Sequence, residues 1–172
     1  DMSEGHYGVS MLNDCKYGHS ALDGVMTLTL IKSGIEPNPT ADQEEHTFTY
    51  ALYPHAEGWR QAKTVQEAMK LNQPALSAEG GCAGDETSFV WIDKQNVIIE
   101  TVKEAEDGDG VIIRLYESEN ARTKAHISFE KPVASVESCD CVEKTKETVC
   151  VAGDGFDITI KPYEIQTYRV RF

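Results

Sequence analysis

The chain has 172 residues and a formal net charge of -13, from 16 Lys and Arg against 29 Asp and Glu. A chain this acidic repels a phosphate backbone, so we expect no nucleic acid among its partners. No apolar run approaches the ~18 residues that a membrane span needs, so we expect no membrane partner either.

The first strand signal is followed at once by a crowded polar turn. Residues 8–12 are mostly apolar, and Asn13, Asp14, Lys16 and Tyr17 come directly after them, before a glycine. Proteins built of strands present functional groups in such loops, held by a rigid scaffold. These four residues are our candidates for a binding rim, and a polar β-turn that binds nothing is the open alternative.

Apolar residues at every second position dominate the rest of the chain. This alternation predicts strands with one face in a core. It occurs in residues 26–30, 48–52, 111–116, 157–161 and 167–172.

Two further segments, residues 89–92 and 97–102, are more continuously apolar and predict strands buried on both faces. Polar turns at residues 93–96, 106–110 and 153–155 predict three hairpins.

One segment has helical spacing instead. Thr64 and Glu67 form a capping box, in which each side chain bonds the other residue's backbone, and Asn72 and Pro74 end the helix. A glycine-rich loop follows over residues 78–85. Roughly ten strands, one short helix and no alternation of strands with helices predict an all-β protein, an antiparallel β-sandwich forming a single domain over residues 1–172.

The reactive side chains form no recognisable metal or catalytic motif. Cys139, Cys141 and Cys150 lack the paired spacing of zinc sites, and Cys139 and Cys141 would share one buried face of a strand. Asp107 and Asp109 lack the remaining ligands of a calcium loop. No nucleophile elbow or phosphate-binding glycine loop occurs. We therefore expect neither a metal site nor a catalytic residue in this chain.

Sugar binding is the chemistry that stays open. Sugars are held by aromatic faces and by planar polar groups that make two hydrogen bonds at once. Core packing is the alternative for Trp91 and Tyr116, and covering the helix is the alternative for Trp59. The aromatic candidates are Tyr17, Tyr53, Trp59 and Trp91, and the polar ones are Asn13, Asp14, Arg114 and Glu117.

The segment Tyr7-Gly-Val-Ser-Met-Leu-Asn-Asp-Cys-Lys-Tyr-Gly18 resembles the one that opens the C-terminal region of glycoside hydrolase family 38 α-mannosidases. The resemblance covers essentially the whole chain and is closest to the cytosolic and bacterial type. Further similar strings follow in the same order at residues 28–33, 37–42, 46–55, 71–75, 96–107, 114–117 and 163–167.

The resemblance implies a β-sandwich of the mutarotase-like supersandwich type, packed against an N-terminal catalytic domain of the same polypeptide. That enzyme would hydrolyse terminal α-linked mannose from oligosaccharides with retention, through an aspartate nucleophile and a second carboxylic acid. It would use a divalent metal, usually zinc. None of these catalytic or metal-binding residues has a matching position here, so the resemblance implies that this chain binds no cofactor.

The resemblance implies that this chain supports folding of the enzyme and shapes the substrate entrance for a mannose-containing oligosaccharide. It implies Asn13 and Asp14 as hydrogen-bonding groups, Lys16 as a charge and Tyr17 as a wall. The alternative is an autonomous carbohydrate-binding β-sandwich module.

The cysteines and the ends of the chain add two expectations. Five cysteines without a regular framework are typical of reduced thiols, and no basic and apolar leader opens the chain, so we expect a cytoplasmic protein. The chain begins in polar sequence at Asp1 and stops at Phe172 within strand-like sequence, and we expect it to be a piece of a longer polypeptide.

Overall fold

The computed structural model describes residues 1–80 and 87–172. The chain divides into two compact units, residues 1–79 and 80–172, and each is described by itself. The prediction of one domain over residues 1–172 stays a prediction. Within the described residues, no helix is both long enough and apolar enough to cross a membrane.

The first unit contains a three-stranded antiparallel sheet and a separate two-stranded hairpin. Its strands are β1 (Met2–Glu4), β2 (Tyr7–Asn13), β3 (His19–Leu22), β4 (Val25–Leu28) and β5 (Tyr50–Ala56). The sheet has the order β1-β2-β5, and β3 pairs with β4. Residues 26–30 and 48–52 were predicted as strands, and β4 and β5 confirm both with shifted ends.

The one helix among the described residues, α1 (Thr64–Asn72), lies against β2 and ends where the sequence predicts. Its start differs. Lys63 is the N-cap residue in a left-handed conformation (φ 56°), with no side-chain capping bond. The predicted capping box is wrong because the Thr64 hydroxyl is hydrogen-bonded to Ser10 Oγ at 2.8 Å instead.

The second unit is a two-layer antiparallel sandwich. Its strands are β6 (Val90–Ile92), β7 (Val97–Glu104), β8 (Val111–Glu117), β9 (Thr123–Phe129), β10 (Ser135–Cys139), β11 (Thr145–Val149), β12 (Val151–Ala152), β13 (Gly155–Ile160) and β14 (Ile165–Arg171). One sheet has the order β11-β10-β14-β8-β7 and the other β12-β13-β9-β6.

The core of this unit lies between its two sheets. Ile113 and Leu115 from β8 are fully buried with Ile127 from β9 and Phe156 from β13. Both sheets therefore contribute one apolar face to a single core, as alternation along the strands requires. The predicted all-β antiparallel sandwich with one short helix is confirmed.

Two details of the predicted sandwich are wrong. The turn at residues 93–96 is not a hairpin, because β6 belongs to the four-stranded sheet and β7 to the five-stranded one. The prediction that these two strands are buried on both faces is also wrong, because Trp91 on β6 is 45% exposed and Val102 on β7 is 46% exposed. The hairpins at residues 106–110 and 153–155 are confirmed. The predicted glycine-rich loop lies mostly outside the described residues.

The cysteines near residue 140 do not share a strand face. Cys139 is buried at the end of β10, whereas Cys141 is exposed in the turn that follows. The carboxylate of Asp140 accepts hydrogen bonds from the backbone N–H groups of Val142 and Lys144, both at 2.9 Å. Burial therefore explains Cys139 but not Cys141, since the Asp140 turn ends the strand between them.

Candidate functional site

The turn that follows β2 brings the four predicted rim residues together. Asn13 is the last residue of β2, and its Oδ1 accepts the backbone N–H of Cys15 at 3.2 Å and that of Lys16 at 2.5 Å. Its Nδ2 lies 3.2 Å from Nε2 of His19. A side chain that bonds the backbone two and three residues ahead forces the chain to reverse. Asn13 therefore shapes the turn with the atoms that would bind a ligand.

Asp14 attaches the turn to the segment that precedes β5. Its two carboxylate oxygens accept the Thr49 N–H at 3.0 and 2.9 Å, and its own N–H donates to the Thr49 carbonyl at 3.2 Å. The hydrogen bond from the Thr49 backbone holds the pKa of Asp14 below its usual range. The carboxylate is exposed and keeps lone pairs free of these bonds, so it stays ionised and able to accept from a ligand.

Lys16 and Tyr17 are the groups that the turn presents outward. Lys16 Nζ lies 4.6 Å from the centroid of the Phe48 ring, a cation–π geometry that orients the ammonium group. The Tyr17 side chain is 94% exposed. Such an exposed ring, on a turn fixed by Asn13 and Asp14, is available for stacking against an apolar sugar face.

Sequence reasoning found the four rim residues but missed the two that anchor them. The sequence pattern predicts Phe48 and Thr49 only as part of an alternating strand, and both lie over 30 residues from the turn. No local pattern marks such a pair. The antiparallel pairing of β2 with β5, which sets Asn13 opposite Tyr50, brings them to the turn.

The polar candidates of the second unit are structural. Glu117 is 1% exposed, and its carboxylate accepts from Asn96 Nδ2 at 2.9 Å, from the Glu119 N–H at 2.8 Å and from the Tyr163 N–H at 3.0 Å. Burial alone raises the pKa of Glu117, but these bonds outweigh it and hold the pKa below its usual value. The carboxylate therefore supports loops of its own unit.

Arg114 has a similar role. Its Nε donates to Thr167 Oγ1 at 3.2 Å and its guanidinium donates to the Cys141 carbonyl at 3.0 Å. These bonds connect β8 with β14 and with the turn after β10. Arg114 therefore braces the five-stranded sheet instead of extending toward a ligand.

The aromatic candidates serve separate purposes. The Tyr53 hydroxyl donates to the Ala62 carbonyl at 3.0 Å, next to α1. The Arg60 guanidinium lies 4.5 Å from the Trp59 ring. Trp91 is 45% exposed on β6, so the alternative of core packing is wrong for this residue. Of the four aromatic candidates, Tyr17 is the most exposed.

No metal site is present in the described part of the chain. Across residues 1–80 and 87–172, no three His, Cys, Asp or Glu side chains are grouped so that they could hold a metal ion. These residues therefore do not fit the zinc that the resemblance implies for the catalytic domain of the parent enzyme. That zinc stays a prediction about a different part of the polypeptide.

Two family models match the chain, in agreement with this geometry. The glycosyl hydrolases family 38 C-terminal beta sandwich domain matches residues 96–168, and the glycosyl hydrolases family 38 C-terminal domain matches residues 1–40. The first match lies within the sandwich of the second unit. The second match contains the turn with the four rim residues.

Curated relatives match almost the whole chain. Alpha-mannosidase G of Dictyostelium discoideum is 32% identical over 98% of this chain, and alpha-mannosidase 2C1 of Homo sapiens is 31% identical over 96% of it. The alpha-mannosidase of Saccharomyces cerevisiae is 30% identical over 100% of the chain. The chain spans only 16% of the length of each of the first two relatives.

Solved structures agree on the fold. An alpha-mannosidase from Enterococcus faecalis has a TM-score of 0.72 to this chain at 20% sequence identity, covering 98% of this chain and 20% of that one. A family 38 glycosyl hydrolase structure from the same organism has a TM-score of 0.71. The opening turn, the sandwich and these matches lead to one conclusion: the chain belongs to glycoside hydrolase family 38, as part of its C-terminal region.

Proposed function

We propose that this chain is the C-terminal accessory region of an α-mannosidase that hydrolyses terminal α-linked mannose from oligosaccharides with retention. In this proposal the chain supports folding of the enzyme and shapes the substrate entrance, and the catalytic residues lie elsewhere in the polypeptide. The observation that carries the entrance role is the exposed Tyr17 on a turn that the side chains of Asn13 and Asp14 hold in shape.

The division of labour within the turn gives each residue a distinct role. The amide oxygen of Asn13 is occupied by hydrogen bonds within the turn. Asn13 therefore acts on a substrate only by positioning the other three rim residues. Asp14 and Lys16 supply an acceptor and a charge, and Tyr17 supplies a wall against which a sugar ring stacks. The partners in this proposal are the N-terminal catalytic domain and a mannose-containing oligosaccharide.

The first test compares the isolated chain with the parent enzyme. We expect purified residues 1–172 to release no mannose from an aryl α-mannoside, with or without added zinc, because the proposed catalytic groups lie outside the chain. The parent enzyme under the same conditions is the positive control. Measurable turnover by the isolated chain would overturn the proposal.

The second test addresses the entrance role in the parent enzyme. We expect Tyr17→Ala to lower kcat/KM for a mannose oligosaccharide roughly fivefold, the size of a lost aromatic contact. Tyr163→Ala, at a tyrosine that is 60% exposed in the second unit, is the matched control and should leave kcat/KM unchanged. Unchanged kcat/KM in both Tyr17→Ala and Asp14→Ala would mean that the turn is purely structural.

We also propose a cytoplasmic location for the parent enzyme. The support is the odd number of cysteines without a disulfide framework, and the described cysteines Cys15, Cys139, Cys141 and Cys150 are unpaired. Fractionation of cells that express the parent enzyme, followed by immunodetection, tests this location. Recovery of the enzyme in a secretory compartment would contradict it.

A further inference from the structure

His19 lies between the polar turn after β2 and the β3–β4 hairpin. We call residues 13–18 the rim turn. The carboxylate of Asp14 attaches this turn to Thr49, before β5. His19 is the first residue of β3 and contacts the turn through both nitrogens of its ring. The rim turn is therefore held at two places, by Thr49 and by His19.

The β3–β4 hairpin holds the backbone of His19 in place. Asp23 and Gly24 join the two strands, and both have positive φ (50° and 75°), as a two-residue type I′ turn requires. The pairing continues past the strand ends, because the Thr29 N–H donates to the Gly18 carbonyl at 2.8 Å. His19 begins β3 directly after this bond. Its ring therefore extends from an ordered backbone next to the rim turn.

The two ring nitrogens of His19 face groups with opposite requirements. Nδ1 lies 3.0 Å from the Tyr17 carbonyl oxygen, which can only accept a hydrogen bond. Nε2 lies 3.2 Å from Asn13 Nδ2, which can only donate one. The Asn13 amide cannot be reversed, because its oxygen accepts from the Cys15 and Lys16 N–H groups. One neutral tautomer, with the proton on Nδ1, therefore satisfies both contacts at once.

This tautomer connects the residue that shapes the turn with the residue that the turn presents. Nε2 accepts from the amide of Asn13, which reverses the chain, and Nδ1 donates to the main chain of Tyr17. The Tyr17 side chain is 94% exposed, so packing against other side chains does little to orient it. The direction of the Tyr17 ring therefore depends on the backbone that His19 holds.

We propose that His19 is a positioning residue of the substrate entrance, whose Nδ1-protonated imidazole orients the main chain of Tyr17 and thereby the ring against which a sugar stacks. This inference rests on the proposed function, in which Tyr17 is the wall of the entrance. His19 does not contact the substrate in this role, so its effect on the reaction passes through Tyr17. Two residues that act through one another give non-additive effects on kcat/KM.

A double-mutant cycle in the parent enzyme tests this dependence. We expect His19→Leu to lower kcat/KM for a mannose oligosaccharide roughly three- to fivefold, and no more than Tyr17→Ala does. In the Tyr17→Ala background, the same substitution should change kcat/KM by less than about 1.5-fold. Equal losses in the two backgrounds would overturn the proposal, as would an unchanged kcat/KM for His19→Leu in an enzyme that Tyr17→Ala impairs.

Two further variants separate positioning from a general effect on folding. His19→Asn keeps an N–H donor at the place of Nδ1, so its kcat/KM should lie within about twofold of wild type. His6→Leu, at another exposed histidine of the first unit, is the matched control and should leave kcat/KM unchanged. A loss in His19→Asn as large as that in His19→Leu would contradict the role of the Nδ1 proton.

Amide hydrogen exchange gives a readout that does not depend on catalysis. The N–H groups of Cys15 and Lys16 bond Asn13 Oδ1, so their exchange is slowed while His19 holds the Asn13 amide. In the parent protein we expect His19→Leu to speed exchange at these two groups at least about threefold, and His6→Leu to leave it at the wild-type rate. Equal exchange rates in wild type and His19→Leu would overturn the proposal.

The two readouts separate a failure of this inference from a failure of the proposed function. Faster exchange in His19→Leu of a parent protein without α-mannosidase activity would refute the proposed function and support His19 as the residue that holds the turn. Unchanged exchange in an active α-mannosidase would refute the positioning role and leave the proposed function standing.

Discussion

Replacing the buried carboxylate of Glu117 by an amide should destabilise the second unit in a way that depends on pH. Glu117 is 1% exposed and is the last residue of β8. Its Oε1 accepts from Asn96 Nδ2 and from the Glu119 N–H, while Oε2 accepts from the Tyr163 N–H. The carboxylate therefore connects the ends of three segments that are distant in sequence.

The magnitude follows from the donors that Glu117→Gln leaves without a charged acceptor. The amide oxygen can replace Oε1, but the new NH₂ group then faces the Tyr163 N–H, and an unpaired buried donor costs ~1–3 kcal/mol. The two bonds that remain lose their charge assistance, roughly another 1 kcal/mol. Removing the buried charge also removes its desolvation penalty, which offsets part of this loss of stability. We expect a net loss of about 2 kcal/mol in the free energy of unfolding near pH 7.

The pH dependence has a definite sign. The pKa of Glu117 in the folded chain is lowered, so its contribution is complete above the unfolded pKa and is lost as the pH falls through the folded value. The difference between wild type and Glu117→Gln should therefore be constant from pH 8 to pH 5 and shrink below the usual glutamate pKa of roughly 4.3.

Urea denaturation followed by the near-UV signal of the second unit, repeated across this pH range, measures the difference. Glu147→Gln, at an exposed glutamate on β11, is the matched control and should change the free energy of unfolding by less than ~0.5 kcal/mol. A difference for Glu117→Gln that grows as the pH falls from 5 to 3 would refute the reasoning, because it would mean that the folded state favours the protonated acid.

Two predictions concern the sandwich core and its strand pairing. Ile127→Ala should lower the free energy of unfolding by ~2–5 kcal/mol, because Ile127 is fully buried. The control Ile165→Ala, at an isoleucine that is 68% exposed, should lower it by less than ~1 kcal/mol. Equal losses for the two variants in urea denaturation would contradict the assigned core. Gly155→Ala should lower the free energy of unfolding by roughly 1–3 kcal/mol, because the new Cβ would lie 2.1 Å from the Ile127 carbonyl oxygen. Gly5→Ala is the control, since a Cβ at Gly5 meets open space. An unchanged urea midpoint for Gly155→Ala would argue against the β9–β13 pairing.

Three strands of the second unit, β8, β13 and β14, follow from the sequence because one physical rule governs them, whereas no range was predicted for β9, β10, β11 or β12. Along β13 and residues 168–171 of β14, apolar side chains alternate with polar ones, and both strands place these apolar side chains in the same core. β8 departs from this pattern, because Ile112 is also fully buried although it lies outside that core. Burial of one face is enough to produce the pattern, so the pattern is enough to predict the strand. The hairpins at residues 106–110 and 153–155 follow equally well, since glycines and aspartates there favour tight turns.

Partners that are distant in the sequence explain the errors. The turn at residues 93–96 has the composition of a hairpin, yet its two strands belong to different sheets. Thr64 has the spacing of a capping residue, yet its hydroxyl bonds Ser10, which is 54 residues away. In both cases the local sequence has the composition that the prediction requires. The structure differs because each segment pairs with residues that are far away in the sequence.

The rim turn shows how such pairings also change the meaning of a predicted site. The residues that made the turn conspicuous were its polar ones, and the structure uses Asn13 to reverse the chain and Asp14 to hold Thr49. Their hydrogen bonds hold the turn that carries the exposed Tyr17 side chain. A dense polar sequence at a strand end is therefore first a signal of how the turn is built. Exposure, which depends on the strand opposite, then separates the groups that build the turn from those that it can offer to a substrate.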